Sequence, residues 1–328
     1  MKTLFPILIF FLPLGLWGQT ETTWPGPVAY NNFLAEQMND VATSNLVYIA
    51  HSVHSEDLNL TEKKRQEVLQ EIERARQIIQ VKEPYTKGEA VKAESLAVLD
   101  MYREAFALDF KQINVLKTSS KETYEAMKAY LAAQDAAEDK LHKAADRFAK
   151  ARQKYLKAHE LTATEQQKDP LEAQIKTMGA ANRYIRQVFL TYFRVFRQDI
   201  NLSEALQKGE KNKLEGYRLE LIKAAEQALQ ELGKMEGFEG DYNLLNQTTD
   251  LIRFYRDLGN QQFKDISRIS QLEDSALTQA DVDTFNEAVR QYNEILPAFV
   301  ERFHEAQNAL RRKHTPAFGV QQKKTTGS

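Results

Sequence analysis

The sequence predicts an all-α protein made of tandemly duplicated long-helix units, each a four-helix bundle, with about eight helices in total. Three observations predict this. Gly (13) and Pro (8) are scarce among 328 residues, and Ala, Leu, Glu, Gln and Lys fill long uninterrupted stretches, a composition that favours helix over strand. Apolar residues recur at three- and four-residue steps, which makes one buried face per helix. Similar phrases also recur in the same order at a nearly constant spacing, as in DLNLTE (57–62) and DINLSE (199–204).

Residues 1–18 read as a secretory signal peptide: Lys2 gives a basic start, Leu4 to Trp17 is apolar, and Gly18 precedes Gln19. The alternative, a membrane anchor, is opposed by the shortness of the run and by Pro6 and Pro13 within it. No later segment is long and apolar enough to span a bilayer. With no cysteine, the chain has no lipid attachment site after the leader, no disulfide and no thiolate chemistry. Loss of Lys2 with the leader takes the 44 basic residues to 43 against 46 acidic ones, so nothing in the balance points to nucleic acid.

After an extended linker (19–27), helices are expected near 28–56, 61–82, 87–117 and 120–160, forming the first unit (28–160). The third carries the stripe Leu96, Leu99, Tyr102, Phe106, Phe110, Ile113 and Leu116. The fourth carries Tyr130, Ala133, Ala137, Leu141, Ala144, Phe148, Ala151 and Tyr155. A linker (161–169) leads to helices near 170–199, 204–235, 241–270 and 279–313 in the second unit (170–314), followed by a polar tail (315–328) expected to be disordered. Thr86 with Glu89, Ser119 with Glu122, and Thr278 with Asp281 place an N-cap hydroxyl three residues before an acid. Pro170 suits a first helical position. Trp24 in the linker is expected to dock on its own bundle.

Matches at a spacing of 142 (Asp57 with Asp199, Leu60 with Leu202), 153 (Leu99 with Ile252, Phe110 with Phe263) and 155 (Phe148 with Phe303, His159 with His314) suggest a tandem duplication. In this alignment the repeated phrase ends helix one and starts helix two of each unit, with Thr61 and Ser203 as N-caps.

Catalytic patterns are missing: the chain has no phosphate loop, no G-x-S-x-G elbow and no H-E-x-x-H helix. A di-iron bundle needs paired Glu-x-x-His steps, and only Glu301–His304 supplies one. His51 and His54, three apart on the first helix, share a face. They are either a metal pair completed from neighbouring helices or two neutral rings within the bundle or near its end. The second reading is simpler, because no third ligand can be identified. Arg183, Arg186, Arg194 and Arg197 form one stripe beside the aromatic face of Ile185, Phe189, Tyr192, Phe193 and Phe196. The stripe either binds an anionic ligand or pairs with glutamates of adjacent helices while its stems snorkel along the rim.

The leader ending in WGQ, the absence of cysteine, and the long Ala/Glu/Lys-rich helices resemble exported all-helical surface proteins of gram-negative bacteria with no assigned activity. The resemblance implies a periplasmic or cell-surface location and no catalytic residues. The expected function is therefore non-enzymatic and without cofactor: a cell-envelope bundle that binds another protein or envelope component or organises a surface. The alternative is a periplasmic binder of a small anionic ligand or metal.

Overall fold

The computed structural model describes residues 24–54, 57–161 and 170–314. The expected leader, most of both linkers and the tail lie outside the described residues. Ten α-helical segments follow: α1 (Pro27–His54), α2 (Leu58–Val81), α3 (Glu89–Glu104), α4 (Phe110–Ser119), α5 (Tyr124–Ala158), α6 (Pro170–Gln207), α7 (Lys211–Leu232), α8 (Asn243–Asn260), α9 (Gln262–Ser270) and α10 (Gln279–His314). A π-helical turn, Ala105–Asp109, joins α3 to α4 in one rod, and α9 continues α8, so the described residues make eight rods. Among them there is no strand, and a single bridge pairs Phe238 with Asp241.

In the first bundle α1 packs on α2, α2 on α3, α3 on α5, and α5 returns to α1. The second repeats the ring through α6, α7, α8 and α10. Short connections force neighbours to run antiparallel. Each bundle has its own core: Leu34, Val41, Ile72, Leu99, Phe106 and Phe148 belong to the first, and Ile185, Leu221, Ile252, Tyr255 and Phe303 to the second. A small third cluster joins them, with Met127 and Leu131 of α5 against Phe193 of α6. Both apolar stripes read from the sequence point inward. Trp24 docks as expected, its Nε1 donating to the Glu83 carbonyl at 2.8 Å and its ring lying 4.9 Å from Phe33.

The same side-chain braces occur in both halves. Arg65, 3% exposed, pairs with Glu62 and donates to the Phe106 carbonyl within the π turn. Arg218 pairs with Glu215 and donates at 2.9 Å to the Gly259 carbonyl, where α8 breaks into α9. Every member is 153 positions from its counterpart. The physical reason is shared: an interrupted helix frees a carbonyl from its intrahelical donor, and a buried guanidinium supplies the replacement. Lys87 (φ 58°) and Gly240 (φ 81°), also 153 apart, take the left-handed conformation in the turns before α3 and α8.

Several sequence expectations need correction. The cap of α2 is Asp57, whose carboxylate accepts from the Asn59 and Leu60 amides. Thr61 sits one turn later and donates its hydroxyl back to the Asp57 carbonyl. Ser203 caps nothing, because α6 runs through the second phrase to Gln207 and stops where Gly209 (φ 67°) permits a left-handed turn. Thr123, not Ser119, caps α5, and Gly88 precedes α3 without a side-chain cap. Thr278 and Asp281 do form the expected reciprocal pair, each side chain accepting from the other's amide at 3.2 Å. The repeated phrase therefore occupies different places in the two bundles. Buried positions give the register: Tyr30, Leu34, Val41 and Tyr48 of α1 stand 151 residues before Ala181, Ile185, Tyr192 and Asp199 of α6.

Candidate functional site

All four arginines of the α6 stripe have internal partners. Arg186, 11% exposed, grips Glu138 of α5 through two bonds of 2.6 and 2.9 Å, and Asp135 at 2.6 Å. Burial opposes the Arg186 charge, but Glu138 and Asp135 outweigh it and hold its pKa above the ordinary value. Arg183 meets Asp139 at 2.5 Å, which lowers the carboxyl pKa. Arg194 bonds Glu231 of α7 at 2.7 Å and the Tyr124 hydroxyl at 2.8 Å, and lies over the Tyr124 ring. Arg197 donates to the Lys121 carbonyl at 3.3 Å. The stripe is thus the polar seam between α5 and α6, and its donors point at protein groups.

His51 is half-buried near the end of α1, and the side chain of His54 lies outside the described residues. Among the described residues no group of three His, Cys, Asp or Glu side chains is placed to hold a metal ion. None of their helices is long and apolar enough to cross a membrane.

A second charged feature lies on the outer face of α5. Lys140, Lys143, Arg147, Lys150, Lys154 and Lys157 follow alternating steps of three and four, so at 3.6 residues per turn they fall within an arc of about 100° and extend for about 26 Å. The helix is positioned by its opposite side, where Ala137, Leu141, Ala144 and Phe148 sit in the core. Two ridge members are tied to the α3–π turn rod. Lys140 reaches Asp109 at 2.6 Å and Glu104 at 3.1 Å, and Arg147 reaches Glu94 at 2.6 Å. Lys143, Lys150, Lys154 and Lys157 are exposed and make no ion pair among the described residues.

Beside the ridge runs a groove of about 440 Å³ between α3 and α5, floored by Ala90, Val91, Ala151 and Tyr155 and edged by Arg147, Lys150 and Lys154. The second bundle has a matching groove of about 470 Å³, lined by Asn243, Gln247, Arg302, Glu305, Ala306 and Ala309. Along α10, 155 residues on, the ridge positions read Ile295, Ala298, Arg302, Glu305, Ala309 and Arg312. The groove follows from bundle geometry and recurs, whereas the line of cations does not. Helix packing alone therefore does not require these lysines.

The second bundle holds a buried carboxylate instead. Asp199 of α6 accepts from the Tyr292 hydroxyl at 2.9 and 3.1 Å, and Ser203 stands 3.4 Å from the same hydroxyl. Burial raises the Asp199 pKa to about 6, partly offset by hydrogen bonds from Tyr292 and Tyr255. Asp199 and Tyr255 of this cluster are buried, while Tyr292 and Ser203 are part-exposed. Its raised pKa makes it a contributor to the pH dependence of stability. Comparison of the chain with protein-family models, curated proteins and solved structures finds no match.

Proposed function

We propose that the chain is a non-enzymatic, exported cell-envelope protein that binds a linear acidic polysaccharide along the α5 ridge. The single observation carrying this reading is the row of six cations, four of them without an ion pair among the described residues, on one helix face of a chain whose formal net charge is −2. Such a row concentrates positive potential along a line and attracts a polyanion from a distance. Glu94, Glu104 and Asp109 flank the row on the α3 side. A flat anionic surface would meet those acids too, while a chain one charge wide meets only the ridge. Tyr155, the aromatic beside it, is buried, so stacked nucleobases find no platform. The leader-like first 18 residues support export, and the matching Arg65 and Arg218 braces support descent of both bundles from one duplicated unit.

Polygalacturonate and a heparin oligosaccharide serve as probes of the full chain. Binding should weaken with added salt, and converting Lys143, Lys150, Lys154 and Lys157 to Gln should weaken it at least about tenfold and flatten the salt dependence by about one unit of slope per lysine. Converting Lys211, Lys213, Lys223 and Lys234 of the second bundle should change little. Equal loss in both variants, or tighter binding to anionic vesicles or single-stranded DNA than to either polysaccharide, would sink the proposal.

A further inference from the structure

A cleft of about 150 Å³ opens in the first bundle between α1, α5 and the start of α6. Its apolar lining includes Val41, Phe106, Leu141 and Phe148, and the side chains at its mouth include Asp146, Arg152 and Lys176. Phe106 reaches it from the π turn, an irregularity often associated with sites. Asn45 lines the cleft, and its Oδ1, turned away from solvent, accepts no hydrogen bond among the described residues. An acceptor in that state is costly unless something donates to it.

The second bundle has the same positions filled. At the α1–α6 spacing of 151, Met38, Val41 and Ala42 correspond to Phe189, Tyr192 and Phe193, and at 155 Ala145 corresponds to Val300. There the Phe189 and Phe193 rings lie 5.7 Å apart, Tyr192 packs 4.6 Å from Phe303, and Met127 and Leu131 of α5 cover Phe193. Small residues on α1 leave open in one bundle what aromatics and a neighbouring helix close in the other.

We infer that the first-bundle cleft is a binding site for a small amphipathic carboxylate carrying a hydroxyl at its far end. An apolar cavity of about 150 Å³ takes a body the size of one benzene ring. Lys176, exposed at the mouth, attracts the carboxylate; Arg152, which donates to Asn31 at 3.0 Å, and the acid Asp146 also line the cleft. Once the Asn45 amide turns toward the cleft, a hydroxyl entering with the ring supplies the donor that its Oδ1 lacks. Apolar lining with a few convergent polar groups is the usual composition of a small-molecule site.

The probes are phloretate, which has the ring, carboxylate and phenol; hydrocinnamate, which lacks the phenol; and hydrocinnamyl alcohol, which lacks the charge. Calorimetric titration into the full chain at neutral pH should rank them in that order. Ala42→Phe, which copies the second bundle, should weaken phloretate at least tenfold while the melting temperature holds or rises. Lys176→Gln should weaken both carboxylates several-fold and leave the alcohol unchanged. If Ala42→Phe fails to fold, Ala145→Val fills the same space from α5, and a loss of binding there supports the site equally. Failure of all three compounds to saturate at millimolar concentration would overturn the inference. So would undiminished phloretate binding by the filled variants, or an alcohol that binds as tightly as the acids.

Discussion

Asp199→Asn should change how the stability of the second bundle depends on pH. Asp199 is 3% exposed and has hydroxyl donors but no cation among its hydrogen-bond partners. Burial lifts its carboxyl from 3.8 to about 6 in the folded chain. Below pH 3.8 it is protonated in folded and unfolded chains alike. Between 3.8 and about 6 the folded chain keeps a proton that the unfolded chain has released, so the contribution of Asp199 to stability falls as pH rises. Above that window the loss is complete, and a shift of roughly two units corresponds to about 3 kcal/mol. The amide variant carries no charge at any pH. Its stability relative to the wild type should therefore swing by about 3 kcal/mol in its favour between pH 4 and 7. Urea denaturation of both proteins across that range measures the swing, and taking the difference removes the other titrating groups. That matters because Glu62, held down to about 2 chiefly by its bond from Arg65, contributes in the opposite sense: its stability is present at neutral pH and lost on acidification. A difference that stays flat, or that tilts toward the wild type as pH rises, would refute the reasoning and show that the tyrosines stabilise the carboxylate more than burial opposes it.

Arg186→Met should destabilise the α5–α6 seam by about 3 kcal/mol, because Glu138 is left part-buried without its cation and Asp135 keeps only Arg183, 3.7 Å away. Adding Glu138→Gln should recover part of that loss, and additive costs in a double-mutant cycle would mean the pair is not coupled. Arg65→Met and Arg218→Met should each cost about 1–3 kcal/mol by orphaning a buried carbonyl. Hydrogen exchange in the two variants should speed up around Phe106 and Gly259 respectively, and protection unchanged at those helix irregularities would remove the bracing role.

The helices were legible in the sequence because periodicity reports burial directly. Leu99, Phe110, Ile113, Leu141 and Phe148 all face the cores they were expected to face. The similar phrases at 57–62 and 199–204 misled, because six residues of likeness do not fix a helix end. Capping is a local contest, won at 57 by a carboxylate free to turn back on the amides and lost at 199, where the same residue type is held by tyrosines. The arginines of α6 were visible, but their partners were not, since Asp135, Glu138 and Asp139 lie about fifty residues away and only packing joins them. The α5 ridge is written openly in the spacing of its lysines, on a helix whose apolar stripe carries the stronger periodic signal. The signal was the contrast with Ile295, Ala298 and Glu305 at the matching positions. The cleft could not be read, because an opening depends on which neighbour covers Ala42, and only the register of α6 tells that.

α5 touches α1, α3 and α4 on one side and α6 on the other. It is 35 residues long, rich in alanine, and carries Glu125 in its first turn and Lys157 in its last, each a favourable charge for that end of the helix dipole. Such a segment depends less than its neighbours on tertiary contacts to hold helix, and it lies near the middle of the chain. Assembly is therefore expected to start there and proceed toward both ends, with each bundle condensing on a rod that is already partly ordered.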